Sequence, residues 1–376
     1  MTSNRTGKFV SLTCAHGAEK AIKSAMSDEG WRLAFSRPGL VTAKHDDADA
    51  ARPKGAFIRS QFESLGQCRG NDFKAMSDDV LRCIGEFFDP LDASPANTSS
   101  TEKGVRELAG DDGVWQHLHV WPKDRAPIGK FDFEPGVDEV SQVVADALRD
   151  VLGDRIREEK PNQVASSGES VFDVVLCEPG HWVFGHHVAE SALTNIHSSW
   201  PGGVQPISPK YEPISRAYYK AAESLQWSSF DIQPGDLAVE VGSAPGGACG
   251  RLLELGLEVI GVDPAEMDPR ILKHPRFTHL RGRAGDFPRR EFRGAKWMMV
   301  DSNVRPDKTL VTVKNLVLNE QTSFRGLLLT MKLGHYDRLD RLDRWRSEIE
   351  SWGVAKSINV KQLARNKCEV CYAVKL

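Results

Sequence analysis

The stretch Leu237-Ala238-Val239-Glu240-Val241-Gly242-Ser243-Ala244-Pro245-Gly246-Gly247 decides the reading of this chain. Its first five residues form a buried strand, and the glycine-rich turn runs into a helical pattern from Ala248 to Leu255. Ligands of open α/β sheets bind beyond the carboxyl ends of the strands. Gly242, Gly246 and Gly247 allow close approach of the backbone to a ligand, or a sharp turn. The pattern is not GxGxxG and no Walker lysine follows, so it does not read as a phosphate cradle. Roughly twenty residues on, where a ribose-binding acid is placed, the run Val259-Ile260-Gly261-Val262 ends in Asp263. A glycine turn and a surface aspartate are each common alone. Loop, spacing and acid together favour a nucleoside cofactor over a dinucleotide.

The same texture continues to residue 376. Short apolar runs at 297–300, 326–333 and 368–374 alternate with helical patterns. Apolar strands separated by helices imply a mostly parallel sheet covered on both faces, hence a Rossmann-like α/β domain over residues 206–376. Four polar residues punctuate it. Asp301 and Lys332 end apolar runs, Glu369 lies in the last run, and Lys220 lies in a helical stretch before the cofactor strand. Each alone reads as a solvated strand or helix end. Together, two lysines beside two carboxylates can draw one ammonium toward neutrality while the acids hold its position. Such an amine can take the proton of a weak nucleophile such as a ribose hydroxyl.

Ser215-Arg216-Ala217-Tyr218-Tyr219-Lys220, the loop through Gly247, Asp301, Met331-Lys332-Leu333 and Glu369 resemble the FtsJ-type RNA ribose 2′-O-methyltransferases. That family carries a Lys-Asp-Lys-Glu tetrad and a loop of the form DLGxxPGG. The resemblance covers about residues 211–376 and keeps the order and spacing of all four. It implies S-adenosylmethionine (SAM) as cofactor, held by Glu240, Gly242, Ser243, Ala244, Pro245, Gly246 and Gly247, with its ribose on Asp263. Asp286, aligned with a shift, stands for the acid on the adenine side, and Asp301 serves cofactor and catalysis. Lys332 is implied as general base, Lys220 and Asp301 as shaping its pKa, and Glu369 as positioning one of the lysines; no metal is implied. Glu240 stands where the family has Asp. The layout is also similar to the branch that methylates a cytidine ribose of large-subunit ribosomal RNA. That branch has a ferredoxin-like and then a THUMP-like RNA-binding unit ahead of the catalytic domain, and residues 171–188 resemble its junction. The implied partner is ribosomal RNA, with no obligate protein partner evident.

The first two hundred residues read as two small α+β units on antiparallel hairpins, which the resemblance implies are ferredoxin-like over 1–92 and THUMP-like over 93–205. KFVSLTC (8–14) is a strand, Ala18 to Glu29 a helix, and residues 31–45 extended segments around Pro38-Gly39. A strand near 56–61 and a helix over 78–88 follow, then a polar linker over 90–112. Val140, Val143, Val144, Ala147, Leu148 and Leu152 recur at helical spacing and are expected on the buried face of one helix. Residues 171–177 and 181–188 pair across Glu178-Pro179-Gly180. His181, His186 and His187 are expected on that hairpin's surface.

A net charge of -3 does not announce a nucleic-acid binder, so charge distribution has to carry that argument. Between Arg270 and Lys296 nine basic residues face few acids, either a phosphate-tracking surface or a solvated face. Residues 338–344 read as a helix with internal ion pairs. Seven scattered cysteines point to a reducing compartment. No signal-peptide pattern opens the sequence and no apolar run suits a bilayer span, so the expected place is the cytoplasm. Cys368 and Cys371, three apart in a strand, point to opposite faces and read as core residues. Two other readings compete: a small-molecule SAM methyltransferase, and a non-catalytic RNA-binding protein on a vestigial SAM fold. The tetrad and the long N-terminal extension argue against the first, and the four intact residues against the second.

Overall fold

The structure, a computed structural model, describes residues 7–88, 113–190 and 196–376. The chain divides into two compact units, Met1–Pro206 and Ile207–Leu376.

The first unit is built on a seven-stranded sheet of order β2-β3-β1-β4-β7-β6-β5. Its strands are β1 Lys8–Thr13, β2 Arg32–Arg37, β3 Leu40–His45, β4 Ser60–Arg69, β5 His117–Pro122, β6 Ser170–Glu178 and β7 His181–Val188. The expected division near residue 92 lies outside the described residues, and one sheet runs through both expected units because β4 pairs with β7. Hairpins alone do not build it. β5 lies parallel to β6, from His117 against Val171 to Pro122 against Leu176. A parallel pair needs a crossover, and helix α3, Glu139–Leu152, lies in that connection. Helices α1, Glu19–Asp28, and α2, Phe73–Phe88, complete the unit's longer helices among the described residues.

Two expectations are corrected here. Helix α3 buries Ser141, Ala145, Leu148 and Leu152, while Val140 and Val143 are each 68% exposed. The stripe 141-145-148-152 is also helical in spacing, and small Ser141 and Ala145 let the helix lie close to the sheet. Asp138 starts the helix by accepting the Ser141 backbone N–H at 2.8 Å. The second correction concerns His181, His186 and His187, which are buried because β7 is an inner strand between β4 and β6. His187 is hydrogen-bonded through Nδ1 to the Asp173 carboxyl group and through Nε2 to the Ser198 carbonyl at 2.7 Å.

The second unit carries the α/β domain expected from the sequence. Its strands are β8 Leu237–Val241, β9 Glu258–Val262, β10 Phe277–Leu280, β11 Trp297–Val300, β12 Gly326–Lys332, β13 Ser357–Lys361 and β14 Glu369–Lys375. They are ordered β10-β9-β8-β11-β12-β14-β13. The first five are parallel, and β14 is antiparallel to both β12 and β13. This is a Rossmann-like, mostly parallel sheet with one reversed strand. Helices α4 Ala217–Ser228, α5 Gly247–Glu254, α6 Pro269–Leu272, α7 Pro306–Val317 and α8 Asp340–Glu350 connect and cover it. At the amino end of β8, Asp236 accepts from Lys296 Nζ at 2.5 Å and Trp297 Nε1 at 2.8 Å, pinning β8 to β11. The carboxyl ends of β8, β9, β11 and β12 share an edge with the amino end of β14, and that edge carries the polar residues. No helix among the described residues is long and apolar enough to cross a membrane.

The α3 correction is testable. Val140→Lys with Val143→Lys should change stability by less than about 0.5 kcal/mol, as surface substitutions do. Leu148→Ala, in the stripe packed on the sheet, should cost about 2–5 kcal/mol. Urea unfolding followed by tryptophan fluorescence checks both.

Candidate functional site

The site begins where β8 ends. Gly242 has φ +89°, and a Cβ there would stand 2.6 Å from the Asp301 carbonyl oxygen and 2.9 Å from Ser302 Cα. Only glycine lets the end of β8 lie against the end of β11 in this way. Gly246, at φ +117°, opens α5. At Gly247 a Cβ would collide with Ser215 Oγ and come within 3.1 Å of the Tyr218 nitrogen. Ser215 Oγ is itself buried with no hydrogen-bond partner. Sequence reasoning passed over Ser215, although it opens the motif that ends in Lys220.

The loop is tied to the end of β9. The Ala244 N–H donates to Asp263 Oδ2 at 3.2 Å and the Ala265 N–H to Asp263 Oδ1 at 2.8 Å. Ser243 is buried, its hydroxyl 3.5 Å from Met267 Sδ, and the Pro245 carbonyl accepts the Asp268 N–H at 2.9 Å. Asp286 is exposed, and its carboxylate accepts the Arg283 N–H of its own turn at 2.9 Å. That turn lies beside Asp263, whose carbonyl accepts the Gly282 N–H at 3.2 Å.

Glu240 lies in the recess beneath the loop, 2% exposed, and accepts from the Cys249 thiol at 2.9 Å. Burial, reinforced by Asp301 and Asp263, pushes its carboxyl up to about 8. At neutral pH it is mostly a neutral acid.

Lys220, on α4, is bonded to Asp301 Oδ2 at 3.1 Å and ion-paired with Glu369. Burial pulls its pKa down, but Glu369 and Asp301 outweigh that and raise it above the ordinary value of 10.5. Lys332 Nζ is 4.0 Å from Asp301 Oδ1 and donates to Asn303 Oδ1 at 2.5 Å. Across β12 and β14, Lys332 stands opposite Glu369. The structure thus brings Lys220, Asp301, Lys332 and Glu369 together. A recess of about 340 Å³, counted out to open solvent, is lined by Lys220, Glu240, Asp301, Thr330 and Asn366 among others.

Further residues organise this edge and were not singled out in the sequence. Glu223, fully buried one turn after Lys220 on α4, accepts the Ala364 N–H at 2.7 Å and the Arg365 N–H at 3.0 Å. It thereby clamps the turn between β13 and β14. Within that turn Asn366 donates to Glu369 Oε1 at 3.4 Å, and its own oxygen accepts the Leu363 N–H at 3.0 Å. A carboxylate among the small and aromatic buried residues of α4 (Tyr218, Ala221, Ala222, Ser224, Trp227) was the available signal for Glu223.

The basic run 270–296 is largely engaged within the fold. Arg270 pairs with Asp268, Arg281 with Glu266 and Lys296 with Asp236, while Arg276 donates to the Gly256 carbonyl. In the segment expected to form internal pairs, Arg344 reaches Asp307 of α7 instead. Cys371 is buried and Cys368 partly so, both as free thiols.

Fold and edge together define a Rossmann-like α/β domain with a lysine–carboxylate cluster beside its glycine loop. No family model matches the chain. It is 29% identical over 180 residues to "Ribosomal RNA large subunit methyltransferase M" of Laribacter hongkongensis, covering 46% of this chain and 50% of that protein. With the protein of the same name from Methylococcus capsulatus it shares 27% over 186 residues, 47% and 52% of the respective chains. The chain is their distant relative, and the match spans about half the length of these curated relatives. Among solved structures, a possible methylase from Clostridium difficile 630 covers 98% of each chain at 11% identity and a TM-score of 0.33, too loose to define the fold.

Two outcomes follow. Glu240 has its folded pKa raised from 4.5 to about 8, so its contribution to stability is fully present below 4.5 and lost as pH rises through 8. Glu240→Gln should flatten the fall in stability across that window, read from denaturant midpoints at a series of pH values. Gly247→Ala should destabilise the unit by about 1–3 kcal/mol through overpacking. Adding Ser215→Ala should recover part of that loss in a double-mutant cycle.

Proposed function

We propose that this chain is a SAM-dependent RNA methyltransferase that modifies a ribose 2′-hydroxyl of ribosomal RNA, in large-subunit RNA at a cytidine. The carrying observation is the meeting of Lys220, Asp301, Lys332 and Glu369 at the strand edge beside the glycine loop. The similarity to curated large-subunit methyltransferases supports the choice of RNA.

The residues present fit SAM. Gly242 and Gly246 leave two positions of the loop without side chains, Ser215 Oγ is a buried polar atom lacking a partner, and Asp263 stands at the end of β9. Glu240, Gly242 to Gly247, Asp263, Asp286 and Asp301 would hold it, with Asp263 toward the ribose diol. Bound SAM supplies an electrophilic methyl on a sulfonium and departs as S-adenosylhomocysteine.

The rest falls to the chain's own side chains. Lys332 Nζ accepts the proton of the 2′-hydroxyl as the oxygen bonds to the methyl carbon. Lys220, kept charged by its two carboxylates, supplies positive charge beside the developing alkoxide. Asp301 and Glu369 fix Lys220, and the shape of the recess sets the line of attack. Residues 1–206 would recruit RNA, with ferredoxin-like and THUMP-like parts at 1–92 and 93–205, in the cytoplasm.

The test is tritiated methyl transfer from SAM to ribosomal RNA, comparing the wild type with Lys332→Ala. The expected result is alkali-resistant dinucleotides in the wild-type digest, reduced at least about 100-fold in the variant, with calorimetric SAM affinity unchanged. Label on a base, or none on RNA despite SAM binding, would sink the ribose reading. Absence of SAM binding would sink the cofactor as well.

A further inference from the structure

The two lysines at this edge sit in unlike surroundings. Lys220 touches two carboxylates, Asp301 and Glu369. Lys332 has a carboxylate oxygen of Asp301 only at 4.0 Å, and its close partner is the neutral amide oxygen of Asn303 at 2.5 Å. Asn303 is exposed, two residues past Asp301 on the turn between β11 and α7, and Lys332 is the last residue of β12. The nearby charges on the packed elements are Asp301 from β11, Glu369 from β14, and Lys220 from α4, which occupies both acids.

We infer that Asn303 is the positioning residue that makes Lys332, rather than Lys220, the proton acceptor. Its carbonyl oxygen fixes the amine at the end of β12 without adding a second negative charge. A carboxylate at the same place would surround Lys332 with two acids, as Lys220 is surrounded, and hold it as an ammonium. The amide supplies direction and leaves the proton exchangeable. When the substrate hydroxyl arrives, Lys332 exchanges its close neutral oxygen partner for another, while Asp301 stays at 4.0 Å. This inference rests on the functional reading above for its catalytic meaning, but its electrostatic core is a property of the protein alone.

The experiment has two arms. In the first, lysine Nζ signals of the full chain are followed by NMR against pH, with Lys332 assigned through Lys332→Arg. Asn303→Asp should move the Lys332 titration midpoint up by about one unit or more, the effect of a new carboxylate within hydrogen-bond reach. Asn303→Ala should not raise it. In the second arm, the rate of methyl transfer is measured against pH at saturating SAM. Asn303→Asp should shift the rising limb upward by the same amount, so that the rate is down about tenfold near neutrality and recovers in alkali. Asn303→Ala should lower kcat without that shift. Coincident titration curves for wild type and Asn303→Asp would overturn the inference. A shifted titration in a chain whose wild type transfers no methyl would overturn the functional reading and leave the electrostatic role of Asn303 standing.

Discussion

The edge of the second unit depends on one ammonium held between two carboxylates. Lys220 comes from a helix, Asp301 from the end of β11, and Glu369 from the start of β14, with β12 lying between those two strands. The triad works only because β14 runs against its neighbours, which puts its first residue at the edge where the others have their last. Removing one partner of a buried pair leaves an uncompensated charge, at a cost of about 3–5 kcal/mol. The side chains here are 6–21% exposed, so solvent screens part of that cost. The contact is nonetheless what makes helix, central strand and terminal hairpin agree on a single arrangement.

Around that contact the protein distributes charge unevenly. Glu240 lies in the same recess but is kept mostly neutral at pH 7 by burial and by the other acids. The two carboxylates of the cluster, Asp301 and Glu369, each bind Lys220, and the close partner of Lys332 is the Asn303 amide. Glu223 and Asn366 act behind this arrangement. They close the turn that carries Glu369 into position: the Glu223 carboxylate accepts two backbone N–H groups of that turn, and the Asn366 side-chain amide donates to Glu369.

What the sequence made legible was local or periodic. The apolar run into Gly242, the acid closing β9 and the lysine closing β12 follow from strand spacing, and all lie at the carboxyl ends of their strands. What it hid depended on partners far along the chain. Glu223 meets residues 364 and 365, a separation no short pattern records. Asn303 finds Lys332 only because β11 and β12 are neighbours in the sheet. In the first unit the valines of α3 satisfied helical spacing, yet the small residues of a second stripe allowed closer packing and won the buried face. The three histidines were misplaced for a related reason. A strand's position inside or at the rim of a sheet is set by its pairing, and residues 181–188 show no sign of having β4 on their other side.

The order of the sheet also divides the site along the chain. Lys220 and Asp301 precede the turn at 318–325 that joins α7 to β12, and Lys332 and Glu369 follow it. A backbone break there would leave each fragment with one lysine and one acid, and with an open strand edge where β11 meets β12. Neither fragment could assemble the cluster unaided. Reassociation along that seam would restore the whole constellation at once, so recovery of the site would report the zipping of the two half-sheets.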